Sequence, residues 1–167
     1  KDDAVVFIGL TEPSRKEIIQ YLINNKISVK LVGYGWEDFA KKNKESKYLN
    51  YLGSSVFGEA YSSLISSSTF ALGLLSKRFP ELHTTRTFEI PACGTALITE
   101  KNEETSRFFS ENEVIFFKEE SKIIEKIRYY QKNKKELETL TNKGTKKVKT
   151  NGFDYHSIIS SILKQVI

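Results

Sequence analysis

Cysteine, histidine, methionine and proline are scarce in this chain of 167 residues, which has 1 Cys, 2 His, 0 Met and 3 Pro. A single cysteine, Cys93, cannot close an internal disulfide, and two histidines provide no cluster with the ligand spacing of a zinc site. We therefore expect a reducing, cytoplasmic environment and no bound metal. So few prolines leave no Pro-rich linker, and the sequence predicts a single domain over residues 1–167.

Long apolar runs are also missing. The longest run covers residues 4–10, far below the roughly 20 residues of a membrane-spanning helix. No charged and then apolar leader precedes it, so we expect neither a membrane span nor a signal peptide. The chain begins at Lys1, without methionine and almost at the start of a predicted strand, and we expect it to be a piece of a longer protein.

The charge is moderately basic, with 26 Lys and Arg against 21 Asp and Glu. Much of the excess lies in residues 132–149, where Glu136 and Glu138 alternate with lysines. Mixed charges at this spacing are typical of a solvated helix face, so we do not expect nucleic acid as a partner.

Short β-branched runs alternate with helical patterns along most of the chain. This rhythm predicts an α/β fold, a Rossmann-like doubly wound parallel sheet with helices on both faces, followed by C-terminal helices. Strands are predicted at residues 4–8, 29–32, 48–52, 69–72, 96–99 and 114–117, and helices at 14–24, 59–67, 86–93, 121–131, 134–149 and 154–167. Ser14 with Glu17 predicts a capping box, and Asp154 predicts the cap of a last helix with an apolar stripe.

Two segments are candidate anion sites, because glycine turns after parallel strands lead into helix N-termini. In the first, Gly9, the predicted Ser14 cap and Arg15 are suited to a phosphate, although a plain capped helix with a surface arginine explains the same residues. The second segment covers residues 81–89 and follows a long loop. There Arg86 is suited to bidentate phosphate binding and Glu89 to the two hydroxyls of a ribose, although local charge pairing on a short helix is an equal alternative.

The segment from His83 to Gly94, HTTRTFEIPACG, resembles a signature of spore-maturation-type glycosyltransferases, which belong to the group-one, two-domain GT-B enzymes. Further similarity covers nearly the whole chain. It includes residues 6–9 with Arg15, the glycine-flanked aromatics of residues 33–36, residues 53–59, and the tyrosines at 129–130. The resemblance implies that residues 1–167 are the C-terminal, nucleotide-sugar-binding half of a GT-B fold and that the N-terminal acceptor-binding domain is absent from this chain.

The resemblance also implies roles for single residues. Glu81 and Glu89 have the Glu-x7-Glu spacing that spans donor sugar and ribose in group-one enzymes, whereas Leu10 stands where an arginine is common. The diphosphate charge would then fall to Arg15, Arg86 and His83. The expected catalytic residues are Glu81 and Arg86, and the expected donor-binding residues are Gly9, Arg15, His83, Thr84, Thr85, Arg86 and Glu89. Transfer would be retaining and, since no Asp-x-Asp motif occurs, metal-independent, with a nucleoside-diphosphate sugar as substrate and no cofactor.

Two other classes of function are alternatives to a glycosyltransferase: a different enzyme and a non-catalytic binding module. A dehydrogenase is disfavoured because the run from Gly33 to Asp38 lacks the third glycine of G-x-G-x-x-G. A non-catalytic nucleotide-sugar-binding module, or an interaction module that uses the basic face of residues 132–149, is compatible with the same composition. Tyr34 and Trp36 are candidates either to flank a nucleotide or to pack a turn, and Cys93 is expected in the core.

Overall fold

The computed structural model describes residues 1–166, apart from the side chain of Val166. Six strands form one parallel sheet with the order β3-β2-β1-β4-β5-β6. The strands are β1 (Asp2–Ile8), β2 (Val29–Val32), β3 (Leu49–Tyr51), β4 (Ser68–Gly73), β5 (Ala96–Glu100) and β6 (Ile115–Phe117). The predicted doubly wound parallel sheet is confirmed.

Within residues 1–166, eight helices lie between the strands or after the last strand. They are α1 (Pro13–Asn24), α2 (Glu37–Lys42), α3 (Gly58–Ser67), α4 (Arg86–Ala92), α5 (Thr105–Phe108), α6 (Ser121–Lys132), α7 (Lys134–Thr150) and α8 (Tyr155–Val166). The sequence did not predict α2 and α5, because four to six residues are too few to show a helical period. The final predicted residue of α8, Ile167, lies outside the described residues.

Side chains alternate between the two faces of the sheet, and each face has its own apolar cluster. On one face, Val5 and Phe7 pack with the three isoleucines and the single leucine of α1 and with Ile123 and Ile127 of α6. On the other, Val6 and Ala71 pack with residues of α3 and α4. Helices on both sides bury the sheet, as a parallel sheet requires.

Helix α7 passes from one side of the sheet to the other. Leu137 packs with the first cluster and Val148 with the second. Near the middle of α7, Gly144 lies against the backbone of Glu113. A Cβ at this position would lie 2.4 Å from the Glu113 carbonyl oxygen. The lysines of this helix are mostly exposed, as expected for a solvated face.

Of the two predicted helix caps, the one on α1 is wrong and the one on α8 is confirmed. The capping box is wrong: α1 begins at Pro13 after Glu12, and no side chain caps its first turn, because proline fixes the first helical residue one position before Ser14. The Asp154 cap is confirmed, since Asp154 Oδ1 accepts the Ser157 N–H at 2.9 Å. The apolar stripe of α8 forms as a helix face, but it is exposed at Ile158, Ile159, Ile162 and Leu163.

Candidate functional site

The chain reverses its direction of winding between β1 and β4, which are neighbours in the sheet. The strands numbered 1 to 3 extend to one side and the strands numbered 4 to 6 to the other. In open α/β sheets the connections diverge at this point and leave a crevice at the carboxyl ends of the strands. Residues 9–12 after β1 and residues 74–85 after β4 meet there, and each loop leads into the helix that completes its candidate segment, α1 with Arg15 and α4 with Arg86 and Glu89.

The loop after β1 is fixed by the loop after β2. Trp36 is buried and donates its Nε1–H to the Gly9 carbonyl oxygen at 2.9 Å. Gly33, with φ +152°, passes so close that a Cβ would lie 1.9 Å from the same oxygen. Trp36 therefore packs the turn and does not flank a ligand, whereas Tyr34 is 72% exposed at the rim.

Arg86 is the first residue of α4, and it reaches across to β1. Its Nη1 donates to the Ile8 carbonyl oxygen at 3.1 Å, and the guanidinium carbon lies 6.0 Å from the centroid of the Phe7 ring. Gly9 leaves the space for this contact, because a Cβ there would lie 3.2 Å from Arg86 Nη1. Burial, together with the nearby charge of Arg15, lowers the pKa of the guanidinium.

Arg15 is buried beneath the crevice and joins its two loops. Nη1 donates to the Leu10 carbonyl oxygen at 3.1 Å and Nη2 to the Leu74 carbonyl oxygen at 3.3 Å. Its charge faces two carboxylates, with Glu12 at 3.4 Å and Glu81 at 3.9 Å. The structure therefore places Arg15 in a bonded network inside the fold, and its predicted contact with a phosphate stays a prediction.

Glu81 and Glu12 hold the loop after β4. Glu81 Oε2 accepts the Ser76 N–H at 2.8 Å, and Glu12 Oε2 accepts the Lys77 N–H at 3.0 Å. Burial by itself would raise the pKa of Glu12, but hydrogen bonds from Ser76 and Lys77 hold it below its ordinary value. Because Glu12 and Glu81 offset the charge of Arg15, Arg86 is the predicted phosphate-binding arginine that forms no salt bridge within residues 1–166.

Glu89 lies on the first turn of α4 and is held by a residue that the sequence did not single out for the site. The Tyr61 hydroxyl, on α3, donates to Glu89 Oε2 at 2.6 Å. Burial and this hydrogen bond raise the pKa of Tyr61, so the phenol remains a donor throughout the neutral range. Tyr61 thus fixes the orientation of the Glu89 carboxylate through one of its two oxygens.

Three further predicted residues lie between Glu81 and Arg86. His83 is exposed and contacts Glu104, another residue that the sequence did not indicate. The Thr84 N–H donates to Thr87 Oγ1 at 3.1 Å. Thr85 precedes α4, and its backbone carbonyl accepts the Glu89 N–H at 3.0 Å, while its side chain makes no cap.

Four buried polar side-chain atoms in the described part of the chain have no hydrogen-bond partner, and all four belong to the two loops or the helix starts beside them. They are Thr11 Oγ1, Arg15 Nε, Thr84 Oγ1 and Arg86 Nε. Each such atom costs about 1–3 kcal/mol when left unpaired, and native proteins contain few of them. Their concentration at the switch point marks the crevice as the candidate site.

A comparison with known protein families identifies the family of this chain. A family model described as glycosyl transferase-like matches residues 15–164, about nine-tenths of the chain. The chain belongs to this family. No curated protein matches it.

Solved structures of other proteins have the fold of this glycosyl transferase-like domain. Anabaena Alr3699/HepE in complex with UDP and glucose has a TM-score of 0.78 at 15% identity, over 99% of this chain and 48% of that one. Sucrose-phosphate synthase from Thermosynechococcus elongatus has a TM-score of 0.70 at 14% identity, over 99% and 46%. This chain therefore spans about half the length of these proteins.

A third similar structure is itself one domain. The C-terminal domain of the glycosyl transferase group 1 family protein LpcC from Francisella tularensis has a TM-score of 0.67 at 16% identity. The match covers 89% of this chain and 85% of that domain. The glycosyl transferase-like chain thus has the fold of a C-terminal GT-B domain.

Within residues 1–166, no three His, Cys, Asp or Glu side chains are grouped so that they could hold a metal ion. None of the helices in that range has the length and apolar character to cross a membrane.

Proposed function

We infer that this domain binds the nucleoside-diphosphate part of a sugar nucleotide, as the donor half of an enzyme that transfers the sugar to an acceptor. The observation that carries this inference is the set of unpaired buried polar atoms at the switch point, beside Arg86 and Glu89. Family membership and a structural neighbour complexed with UDP-glucose support it. The spore-maturation type, the retaining outcome and independence from metal belong to the same proposal.

The charges of the crevice suit the two ends of such a donor. Arg86 supplies a guanidinium for the diphosphate, and Glu89 has one carboxylate oxygen left for ribose hydroxyls. Gly9 lies directly beside this guanidinium, because a Cβ there would lie 3.2 Å from Arg86 Nη1. Thr84 and Thr85 lie beside this position and contribute hydroxyl donors.

In the transfer step, the bond between the anomeric carbon and the diphosphate breaks while an acceptor hydroxyl oxygen bonds to that carbon and passes its proton to the departing diphosphate. Negative charge then grows on the departing diphosphate. A fixed guanidinium at Arg86 stabilises this charge more strongly in the transition state than in the bound donor. Glu81, in the loop after β4, is the proposed residue for the sugar hydroxyls.

The first experiment is a calorimetric titration of the purified chain with UDP, GDP, dTDP, ADP and NAD. Selective heat from one nucleoside diphosphate supports the donor site and identifies the base. Binding of NAD alone favours a dinucleotide enzyme instead. Salt-dependent binding of polyanions, without any preference among the nucleotides, favours an interaction surface on the lysines of α7.

A further inference from the structure

Arg15 is a buried cation whose two terminal nitrogens both have partners inside the fold. Its side chain is only 5% exposed. Nη1 donates to the Leu10 carbonyl oxygen in the loop after β1, and Nη2 donates to the Leu74 carbonyl oxygen in the loop after β4. A planar guanidinium can reach two separate acceptors in this way, whereas a lysine ammonium is a single point of charge. Arg15 therefore joins the two loops.

Glu12 holds the start of the loop after β4 together with Arg15. Its side chain is 8% exposed, with Oε1 at 3.4 Å from Arg15 Nη1. Oε2 accepts the Lys77 N–H at 3.0 Å, and the Ser76 hydroxyl adds a hydrogen bond to the same carboxylate. The Lys77 ammonium in turn contacts Glu100 at the end of β5. The loop is thus attached both to the segment after β1 and to β5.

Glu81, which lies further along the same loop, is oriented by this network. Its Oε2 accepts the Ser76 N–H at 2.8 Å and lies 3.9 Å from Arg15 Nη2. The Glu81 side chain is 35% exposed, so it is the member of the network that solvent reaches most. Arg15 and the start of the loop therefore set the direction of a partly accessible carboxylate.

The charges of this network do not favour a phosphate at Arg15. One positive and two negative charges lie within 4 Å of one another, so the group as a whole repels an anion. A diphosphate oxygen that contacted either terminal nitrogen of Arg15 would also have to displace a backbone carbonyl. Arg86 forms no salt bridge within residues 1–166 and has no such competitor for its charge.

We propose that Arg15 and Glu12 are positioning residues that hold the loop after β4 and thereby orient the Glu81 carboxylate. In the same proposal, Arg86 and not Arg15 binds the diphosphate of the donor. This ligand part rests on the proposed function. The attachment of the loop does not depend on any ligand, so each part has its own experiment.

Hydrogen–deuterium exchange of the Lys77 amide, followed by NMR, tests the attachment of the loop. Lys77 is an exposed residue, so the protection of its N–H depends on the Glu12 carboxylate. Glu12→Ala should speed the exchange by about tenfold or more. Glu12→Gln keeps an acceptor oxygen and should stay within about threefold of the wild type. Unchanged exchange in a folded Glu12→Ala variant overturns the proposal.

The matched control is Glu17→Ala, at an exposed position on the same helix. It should leave the exchange of the Lys77 amide unchanged, and an acceleration equal to that of Glu12→Ala overturns the specific role of Glu12. If Glu12→Ala does not fold, the wild type and Glu12→Gln decide. A protected Lys77 amide in both supports the attachment, and an unprotected amide in the wild type overturns it.

NMR of the arginine side chains in ¹⁵N-labelled protein tests the ligand part. Nε of Arg15 and Nε of Arg86 are both buried and without a hydrogen-bond partner within residues 1–166, so the two signals are a matched pair. Addition of UDP should shift the Arg86 Nε signal with saturation and leave the Arg15 signal in place. A shift of the Arg15 signal as large as that of Arg86 overturns the proposal.

The same titration with GDP, dTDP and ADP separates this proposal from the proposed function. If none of the four nucleotides binds, the proposed function fails, while exchange of the Lys77 amide still decides whether Glu12 holds the loop. If one of them binds and shifts neither arginine signal, Arg86 is not its ligand and the ligand part is overturned.

Discussion

Arg86 and Glu89 share one turn of α4, and both point their functional groups toward β1 or α3. We expect Arg86→Ala and Glu89→Ala each to weaken binding of a nucleoside diphosphate by more than about 1 kcal/mol, the scale of a charge-assisted hydrogen bond. Calorimetry measures the loss, and circular dichroism establishes that each variant is folded. Arg107→Ala, at an exposed arginine on α5, is the control. Unchanged affinity in both folded variants would remove these residues from the site.

Tyr61 provides a more selective probe of the same site. Tyr61→Phe removes only the hydroxyl that donates to Glu89, so the carboxylate loses its fixed orientation while the ring still packs on the second apolar cluster. The dissociation constant of the bound nucleoside diphosphate should rise by about threefold to tenfold, with a smaller change for a 2′-deoxyribose nucleotide if Glu89 binds ribose. Equal losses for ribose and deoxyribose nucleotides would contradict that role.

At the scale of the elements, the close approach of the loops after β1 and β2 decides where Gly9 lies. Gly33→Ala places a Cβ 1.9 Å from the Gly9 carbonyl oxygen, so either the loop moves or the fold is strained. We expect the free energy of unfolding to fall by about 3 kcal/mol or more, measured by urea denaturation.

Gly53 is the matched control for this substitution. It also has a positive φ, +115°, but a Cβ there meets no atom within 4 Å. Gly53→Ala should therefore cost only the backbone strain, about 1–2 kcal/mol. Equal losses in the free energy of unfolding for Gly33→Ala and Gly53→Ala would show that the close contact with the Gly9 carbonyl oxygen does not affect stability.

Stability against pH is a property of the whole molecule, and the Glu12 network predicts part of it. The pKa of Glu12 is lower in the folded chain than its ordinary value. A lowered carboxyl pKa contributes stability above the unfolded-state pKa, and this contribution is lost as pH falls through the folded-state pKa. The Glu12→Gln variant should therefore lose less stability than the wild type as the pH falls from about 5 to about 3. Thermal denaturation at each pH measures this difference.

The control for this pH profile is Glu17→Gln, an exposed position on the same helix. Its stability should follow the wild-type curve. A Glu12→Gln curve parallel to the wild type across the acidic range would contradict the lowered pKa.

Local sequence was sufficient for most of the sheet. The runs at Val5 and Val6, at Leu31 and at Ile98 are short, apolar and rich in β-branched residues, a composition typical of parallel strands buried on both faces. The signature from His83 to Gly94 likewise indicated the second candidate segment, and the family match over residues 15–164 agrees with it. Both are properties of contiguous residues.

What the sequence alone determined about this protein is therefore the alternation of strands and helices, the family, and the short segment that contains Arg86 and Glu89. Only the tertiary structure decided the partners of those residues: Arg15 turns inward to Glu12 and Glu81, Trp36 packs beneath Gly9, and the apolar stripe of α8 remains exposed. Tyr61 and Glu104 entered the site in the same way. The physical reason is that periodicity and capping are local, whereas a hydrogen bond between residues 21 or 28 positions apart depends on how helices and loops pack on the sheet.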